Sequence, residues 1–372
     1  MRLHIANNEK IINRCIANFE EVFPGDNKWV ILPNSRNKDY VGNNSHVVKC
    51  NYDTDVFWQS VGDVSQYKKI IIHCLSENKA KFVCKINHPC IYWIEWGQDL
   101  YQSLLECKGY QLYSEKDTMW RLSKHQYLPL ALYEIGRRYK MKKTAALYVA
   151  AAKKMKYFVP DSMYDEYPLL LQYYPELNHL EYREFFYYPI DEVLNVDDMK
   201  CEELGPNIVL GHSASCSCNH IEAMRWLREI NLAGKKIITP ISYNSRANAQ
   251  YVVQKGKELL GDLFYPINDY MSLDNYNKLL KTASFFIYNN YRQEAVGNIL
   301  VALYLGGKVF LNKKNPLLNF YRNIGLKLYS EDELLSLNGL KPMTKNDVQR
   351  NREILLKHYS RNRQLSLIKD NM

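Results

Sequence analysis

The stretch Asn207-Ile-Val-Leu-Gly-His-Ser-Ala-Ser-Cys-Ser-Cys-Asn-His220 runs from a short apolar segment through a glycine into a loop of small residues, and a helical pattern follows. The design returns at Ser284-Phe-Phe-Ile-Tyr-Asn-Asn-Tyr-Arg-Gln-Glu-Ala-Val-Gly-Asn298. Working outward, Asn207–Gly211, Lys236–Ile241, Leu263–Pro266, Ser284–Tyr288 and Lys308–Leu311 read as strands. Asn219–Asn231, Ala247–Leu260, Leu273–Lys281, Gln293–Leu305 and Pro316–Asn323 read as helices between or after them. Repeated strand–helix winding with right-handed crossovers predicts a Rossmann-like parallel sheet. Such a sheet puts its ligand at the carboxyl ends of its strands, facing helix N-termini, so the two loops point to a phosphate-bearing ligand.

The N-terminal half repeats the alternation less regularly. Trp29–Leu32, His46–Cys50, Lys69–Leu75 and Cys90–Ile94 read as buried strands, and Ile11 to Val22 has helical apolar spacing. No glycine-rich dinucleotide fingerprint follows any of them, which argues against a nicotinamide or flavin cofactor. Residues 189–206 are acidic and poorly patterned, with Asp191, Glu192, Asp197, Asp198, Glu202 and Glu203, and read as an interdomain linker. The chain, at 372 residues, suggests two domains, and 47% apolar content with 24% charged residues is that of a folded protein.

The net charge of +9 is concentrated. Arg137, Arg138, Lys140, Lys142 and Lys143, with Lys153, Lys154 and Lys156, bracket an apolar run, and the tail carries Arg350, Arg352, Lys357, Arg361 and Arg363. Such clusters attract anionic lipid headgroups or nucleic acid, or are solvated helix faces. No RNP, KH or helix-turn-helix signature supports nucleic acid. No apolar stretch is long enough to span a bilayer and the first residues lack a secretory apolar region, so a cytoplasmic location is expected. Nine scattered cysteines agree, since they form no disulfide framework. Thirty tyrosines fit wet clefts and interfaces, or follow from composition bias alone.

Within the first loop, hydroxyl side chains and free backbone N–H groups suit a diphosphate, and Asn219 is placed to cap the following helix. A rival reading takes His212, Cys216, Cys218 and His220 as zinc ligands, but four within nine residues are cramped, and no metal is expected. In the second loop Arg292 can grip a phosphate at a helix N-terminus, and Gly297 leaves room for a base or ribose. Ser242 and Tyr243 end their strand on the same rim. In the first half, Trp93-Ile-Glu-Trp-Gly-Gln-Asp99 follows a strand: its indoles suit a sugar face and its carboxylates sugar hydroxyls, or else the indoles fill the core and Asp99 caps the next helix.

These residues reach a known family. Gly211-His-Ser-Ala-Ser215, Asn219-His-Ile-Glu222, Pro240-Ile-Ser-Tyr243, Arg292-Gln293 and Gly297-Asn-Ile299 resemble the 4-acetamido-4,6-dideoxygalactose (Fuc4NAc) transferases of enterobacterial common antigen synthesis, glycosyltransferase family 56. Trp96-Gly-Gln-Asp-Leu-Tyr101 and Leu3-His-Ile5 are similar to its N-terminal motifs. The likeness is strongest from residue 207 to 315 and weak from 105 to 200. It implies an α/β enzyme of GT-B type: two Rossmann-like domains with parallel sheets facing a central cleft, an acceptor-binding domain over 1–190, a linker over 191–206, a donor-binding domain over 207–345, and a helix over 346–372 that packs back on the first domain.

The resemblance further implies transfer of a deoxy, acetamido sugar from a dTDP-linked or other nucleotide-sugar donor to a polyprenyl-diphosphate-linked glycan, without cofactor, at the cytoplasmic face of the bacterial inner membrane. The donor would meet Gly211, Ser213, Ser215, Asn219, His220, Glu222, Ser242, Tyr243, Arg292, Gln293, Glu294, Gly297 and Asn298. His4, Trp96 and Gly97 would meet the acceptor, Asp99 and then Glu95 would serve as base, and Arg137, Arg138, Lys140, Lys142 and Lys143 would hold the anionic leaflet. The family pattern has Asn, Pro or Ser at positions 212, 216 and 218 and commonly Gln at 294, so His212, Cys216, Cys218 and Glu294 are departures. A nucleotide-sugar epimerase on the same scaffold and a non-catalytic nucleotide-sugar-binding protein are the alternatives.

Overall fold

A computed structural model describes residues 1–34, 39–42, 44–115, 118–161, 163–194, 203–336 and 339–372. The chain divides into two compact units, one of Met1–Tyr110, Gly136–Tyr187 and Asn362–Met372, the other of Gln111–Ile135 and Tyr188–Arg361. Residues 111–135, from within the expected first domain, thus group with the second unit. Residues 195–202 of the expected linker lie outside the described residues.

The first unit holds seven parallel strands: β1 (Arg2–Asn7), β2 (Asn27–Leu32), β3 (Val47–Lys49), β4 (Lys69–His73), β5 (Ile91–Ile94), β6 (Tyr157–Val159) and β7 (Glu181–Tyr182). Their order is β3-β2-β1-β4-β5-β6-β7, so the winding reverses between β1 and β4. The four strands read from sequence are present, three with trimmed ends and the one at Trp29–Leu32 starting earlier, at Asn27, whereas β1, β6 and β7 were not anticipated. β6 and β7 are only three and two residues long, too short for a period to register. Helix Lys10–Val22 lays Ile12, Cys15, Ile16 and Phe19 into this core.

The second unit holds β8 (Asn207–Leu210), β9 (Ile237–Pro240), β10 (Phe264–Ile267), β11 (Ala283–Tyr288), β12 (Lys308–Leu311) and β13 (Tyr329–Ser330), all parallel, in the order β10-β9-β8-β11-β12-β13. All five expected strands and their helices are here; only the two-residue β13 is new. The reversal lies between β8 and β11, and β11 is buried along its whole length. Ile208, Leu210, Met224, Leu227, Phe285, Ile287 and Phe310 form the core beneath it.

Two element boundaries differ instructively. The helix after β11 begins at Val296 rather than Gln293, because Ala295 takes a left-handed φ of 64° and keeps 289–294 as a loop. The expected terminal helix is two, Lys345–Tyr359 and Arg361–Asn371, since Ser360 is extended. In the first unit Leu367 and Ile368 are buried, and Arg2 Nε donates to the Met372 carbonyl at 3.0 Å. Among the described residues no helix is long and apolar enough to cross a membrane.

Candidate functional site

In the second unit the crevice expected of a parallel sheet lies where β8 and β11 end side by side. Gly211 turns out of β8 at φ +70°, and a Cβ there would come within 2.5 Å of His220 Nε2. This close approach lets the imidazole lie under the loop, where burial lowers its pKa to about 3 and keeps it neutral. Asn219 is left-handed at φ 47° and does not cap the helix His220–Arg228. Its amide instead ties three segments: Nδ2 donates to the carbonyls of Asn289 (3.0 Å) and Leu112 (3.3 Å), and Oδ1 accepts from Ser114 N–H (2.9 Å). Asn289 returns a bond to the Asn219 carbonyl, donates to Glu222 at 2.7 Å and accepts from Asn312 at 2.7 Å. Tyr291 also donates to Glu222, at 2.8 Å.

The two loops are joined at their centre by a buried charged network. Glu294 Oε1 faces Arg292 Nη2 at 3.1 Å and His212 Nε2 at 3.5 Å, while Oε2 accepts from Ser217 Oγ at 2.6 Å and Asn290 Nδ2 at 2.8 Å. His212 Nδ1 lies 3.6 Å from Cys218 Sγ. Burial opposes charge on both groups, yet their neighbours prevail. Arg292 and His212 hold Glu294 down at about 2, and Cys218 and Glu294 hold His212 up at about 10. The neighbours of His212 thus favour its protonated form. Arg292 Nη1 donates to the Gln293 carbonyl at 2.8 Å, and its buried Nε has no hydrogen-bond partner among the described residues.

His212, Cys218 and Glu294 present donor atoms within 4.8 Å of one another, the one such group among the described residues. It is not the set suggested by the sequence, for Glu294 takes the place of Cys216 and His220. Its one carboxylate is already engaged by Arg292 at 3.1 Å and by His212 at 3.5 Å.

Other expected donor residues fall around this centre. Ser213 Oγ accepts from Asn244 Nδ2 at 3.0 Å, Ser215 Oγ meets Ser217 Oγ at 2.7 Å, and Tyr243 is 38% exposed on the rim beside half-buried Ser242. Gln293 is buried and Asn298 half-buried. Gly297 was expected to admit a base or ribose, but its close neighbour is Tyr188, 3.2 Å from where a Cβ would stand. Leu112, Ser114, Asn244, Asn290 and Asn312 were not anticipated, because no local pattern marks a residue that acts through a distant loop.

In the first unit the expected acceptor and base residues are mostly interior. His4 was expected to meet an acceptor; instead it is fully buried, stacks 3.9 Å from Trp29, and bonds to Asn27 Oδ1 (3.3 Å) and His73 Nε2 (3.1 Å). His73 Nδ1 accepts from Tyr187 O–H at 2.6 Å, and burial lowers both imidazoles, His4 to about 3. Asp99, 1% exposed, accepts from Leu75 N–H (2.7 Å), Trp93 Nε1–H (2.6 Å) and Trp96 N–H (2.9 Å). It neither caps a helix through its side chain nor meets solvent, so the geometry gives it a holding role rather than that of a base. Glu95 is fully buried, accepts from Gly97 N–H, and interacts with buried Glu166, whose pKa burial raises to about 8. Gly97 is left-handed at φ 79°, and half-buried Trp96 packs edge-on to Tyr187 at 5.3 Å.

Of the basic residues expected at a membrane, Arg138, Lys140, Lys142 and Lys143 are exposed, whereas Arg137 is half-buried against Glu106 at 2.6 Å. Tyr127, Leu132, Ile135 and Tyr139 are 78%, 58%, 64% and 74% exposed in and just before the same helix, Leu130–Ala152. The sequence reading had not singled out these apolar side chains.

A family model described as 4-alpha-L-fucosyltransferase, glycosyl transferase group 56, matches residues 131–351. The chain belongs to glycosyl transferase group 56. Solved structures similar to this group 56 chain include an alpha,alpha-trehalose-phosphate synthase (UDP-forming) from Burkholderia vietnamiensis, at 9% identity over 100% of this chain and 98% of that one, with a TM-score of 0.61. Anabaena HepE in complex with UDP and glucose matches at 8% identity over 99% and 97%, with a TM-score of 0.60. A glycosyltransferase from Rickettsia africae matches at 10% identity over 100% and 99%, with a TM-score of 0.56. At such identities the likeness carries the fold, which is GT-B, and group membership makes the chain a glycosyltransferase.

Proposed function

We propose that this group 56 enzyme moves a deoxy, acetamido sugar from a dTDP-linked donor to a polyprenyl-diphosphate-linked glycan at the cytoplasmic face of the bacterial inner membrane. The observation that carries the donor half is the network around Glu294, in which the loops after β8 and β11 bring together a buried guanidinium and a buried imidazole whose protonated form is favoured, at the reversal point of a parallel sheet. Fixed cationic groups in a site of low dielectric stabilise a departing diphosphate without reorganising, so this reading needs no bound metal. The unpartnered Arg292 Nε–H and the N-terminus of helix Val296–Leu305 add to the same field. A neighbour of the same fold is described with UDP and glucose, which favours a nucleotide sugar as the donor class.

For the acceptor half, Trp96 offers an indole packed edge-on to Tyr187, on a backbone turn after β5 whose Trp96 N–H is held by Asp99 and whose Gly97 N–H is held by Glu95. Such a ring suits the face of a sugar, with Asp99 and Glu95 acting as its framework. The exposed apolar residues from Tyr127 to Tyr139, with Arg138, Lys140, Lys142 and Lys143 beside them, combine the two attractions of an interfacial element: apolar area for the acyl boundary and positive charge for anionic headgroups.

Thermal melts with a panel of nucleotides and nucleotide sugars test the donor half. A donor at 100 times its dissociation constant adds ~2.7 kcal/mol of stability. dTDP and its sugars should raise the midpoint of wild type and do so less for Arg292→Ala. A panel without any response, or an unchanged response in Arg292→Ala, contradicts it.

A further inference from the structure

A cavity of about 700 Å³ opens beside the donor loops, between the segment after β9 and one face of helix Arg246–Leu260. This volume is that of a small-molecule site. Its chemistry differs from that of the network around Glu294. Of its twelve lining residues none is acidic, two are cationic (Arg246 and Lys257), and four are amides (Asn244, Gln250, Gln254 and Asn268). Both cations are exposed, and among the described residues neither has a hydrogen-bond or ion-pair partner. Lys255, by contrast, is taken by Glu258 at 2.7 Å.

The spacing gives the cavity a direction. Arg246 and Lys257 are eleven residues apart, three helical turns, so they lie on one face with their backbones ~16 Å apart, and Gln250 and Gln254 fall between them. Arg246 stands in the first turn, where the helix also favours anions; Ser245 satisfies only Asn248 N–H, at 3.2 Å. Amides that both donate and accept suit hydroxyl groups, and unpaired cations at both ends suit negative charge. A compact diphosphate reaches only one end of such a groove.

We propose that this groove binds an anionic carbohydrate, a short extended glycan bearing carboxylate or phosphate groups; it shares Ser242 and Tyr243 with the rim expected to meet the donor, but it runs along Arg246, Gln250, Gln254 and Lys257 and is lined by no residue of the loops after β8 and β11. The segment joining the two is short, for Asn244 lines the cavity and also donates to Ser213 at 3.0 Å. A glycan in the groove would therefore have one end beside the transfer site.

Calorimetric titration of the full chain tests this with four probes: trigalacturonic acid for carboxylates, glucose 1,6-bisphosphate for phosphates, neutral maltotriose, and dTDP. The proposal expects at least one anionic carbohydrate to bind, to weaken as salt rises from ~0.1 to ~1 M and shortens the screening length from ~10 to ~3 Å, and to lose at least ~10-fold in affinity in Arg246→Gln/Lys257→Gln. Which of the two binds identifies the anionic group. Both substitutions are at exposed positions, and an unchanged melt verifies the fold. Maltotriose binding as tightly as the anionic sugars, a double variant unchanged toward them, or neither anionic sugar binding would overturn the proposal. The dTDP arm separates this result from the donor reading: dTDP binding unaffected by the double variant is expected, and its loss there assigns the cavity to the donor and also overturns the proposal.

Discussion

Replacing Glu294 with Gln removes one charge from the network between the loops after β8 and β11 and leaves its volume almost unchanged. In the wild type, Oε1 faces Arg292 at 3.1 Å and Oε2 is held by Ser217 and Asn290. Burial alone would raise this carboxyl, but Arg292 and His212 bring it from 4.5 to about 2. A depressed acid stabilises the fold above its ordinary pKa, and the contribution is lost as pH falls from about 4.5 through about 2. At ~1.4 kcal/mol per pH unit the fall is worth ~3 kcal/mol, in line with the ~3–5 kcal/mol expected when one partner of a buried pair is removed. The Arg292 side chain is only 8% exposed, so its charge cannot turn to water. For a unit of about 200 residues, ~3 kcal/mol lowers the melting temperature by ~6–12 °C. Calorimetry at pH 7 measures this. Arg292→Gln/Glu294→Gln removes the stranded charge, so the double variant should be less destabilised than the sum of the two single ones. A Glu294→Gln melt within ~1 °C of wild type, or additive losses, would show that the buried pair does not hold this network together.

Three further outcomes follow from other parts of the molecule. Glu166, raised by burial to about 8, stabilises the first unit below its ordinary pKa and loses that contribution as pH rises through about 8; Glu166→Gln should therefore gain at least ~1 kcal/mol on wild type between about pH 5 and 9, and a difference independent of pH contradicts this. Asp99→Asn should cost ~1–3 kcal/mol in urea unfolding by disturbing three buried hydrogen bonds; a fall of ~10²–10⁴-fold in turnover with no loss of stability would instead restore it as the base. Serine at Leu132, Ile135 and Tyr139 together should reduce cosedimentation with anionic vesicles by at least ~10-fold while leaving melts unchanged, since the three are exposed; equal binding of wild type and variant removes this face from the membrane.

The second sheet was legible because its strands are long enough and its turns polar enough for the period to switch visibly between strand and helix. β11 and its helix read clearly as buried, and even there the helix start was misplaced by three residues, since nothing in Gln-Glu-Ala announces a left-handed alanine. In the first sheet β6 and β7 carry too few residues for a pattern, and what makes them strands is long-range pairing, β6 with β5 and β7 with β6. The loops of the site were found from local chemistry, but their wiring was not. Glu294 looked like one more ligand contact and is the hub of the network; Asn219 looked like a helix cap and is a tie between segments more than 70 residues apart in sequence. His4 and Asp99 illustrate the reverse error. His4 lies within β1 and Asp99 just beyond β5, and only the three-dimensional packing reveals that the hydrogen bonds of each are already made inside the fold.

The central claim is transfer from a nucleotide sugar, and its most direct measurement is mass-spectrometric analysis of products after incubating the enzyme with a dTDP-linked acetamido deoxy sugar and a polyprenyl-diphosphate-linked glycan in anionic vesicles. One added sugar on the glycan, release of dTDP in equal amount, and loss of both in Arg292→Ala are expected. Donor consumed or isomerised without any sugar reaching the glycan would contradict it.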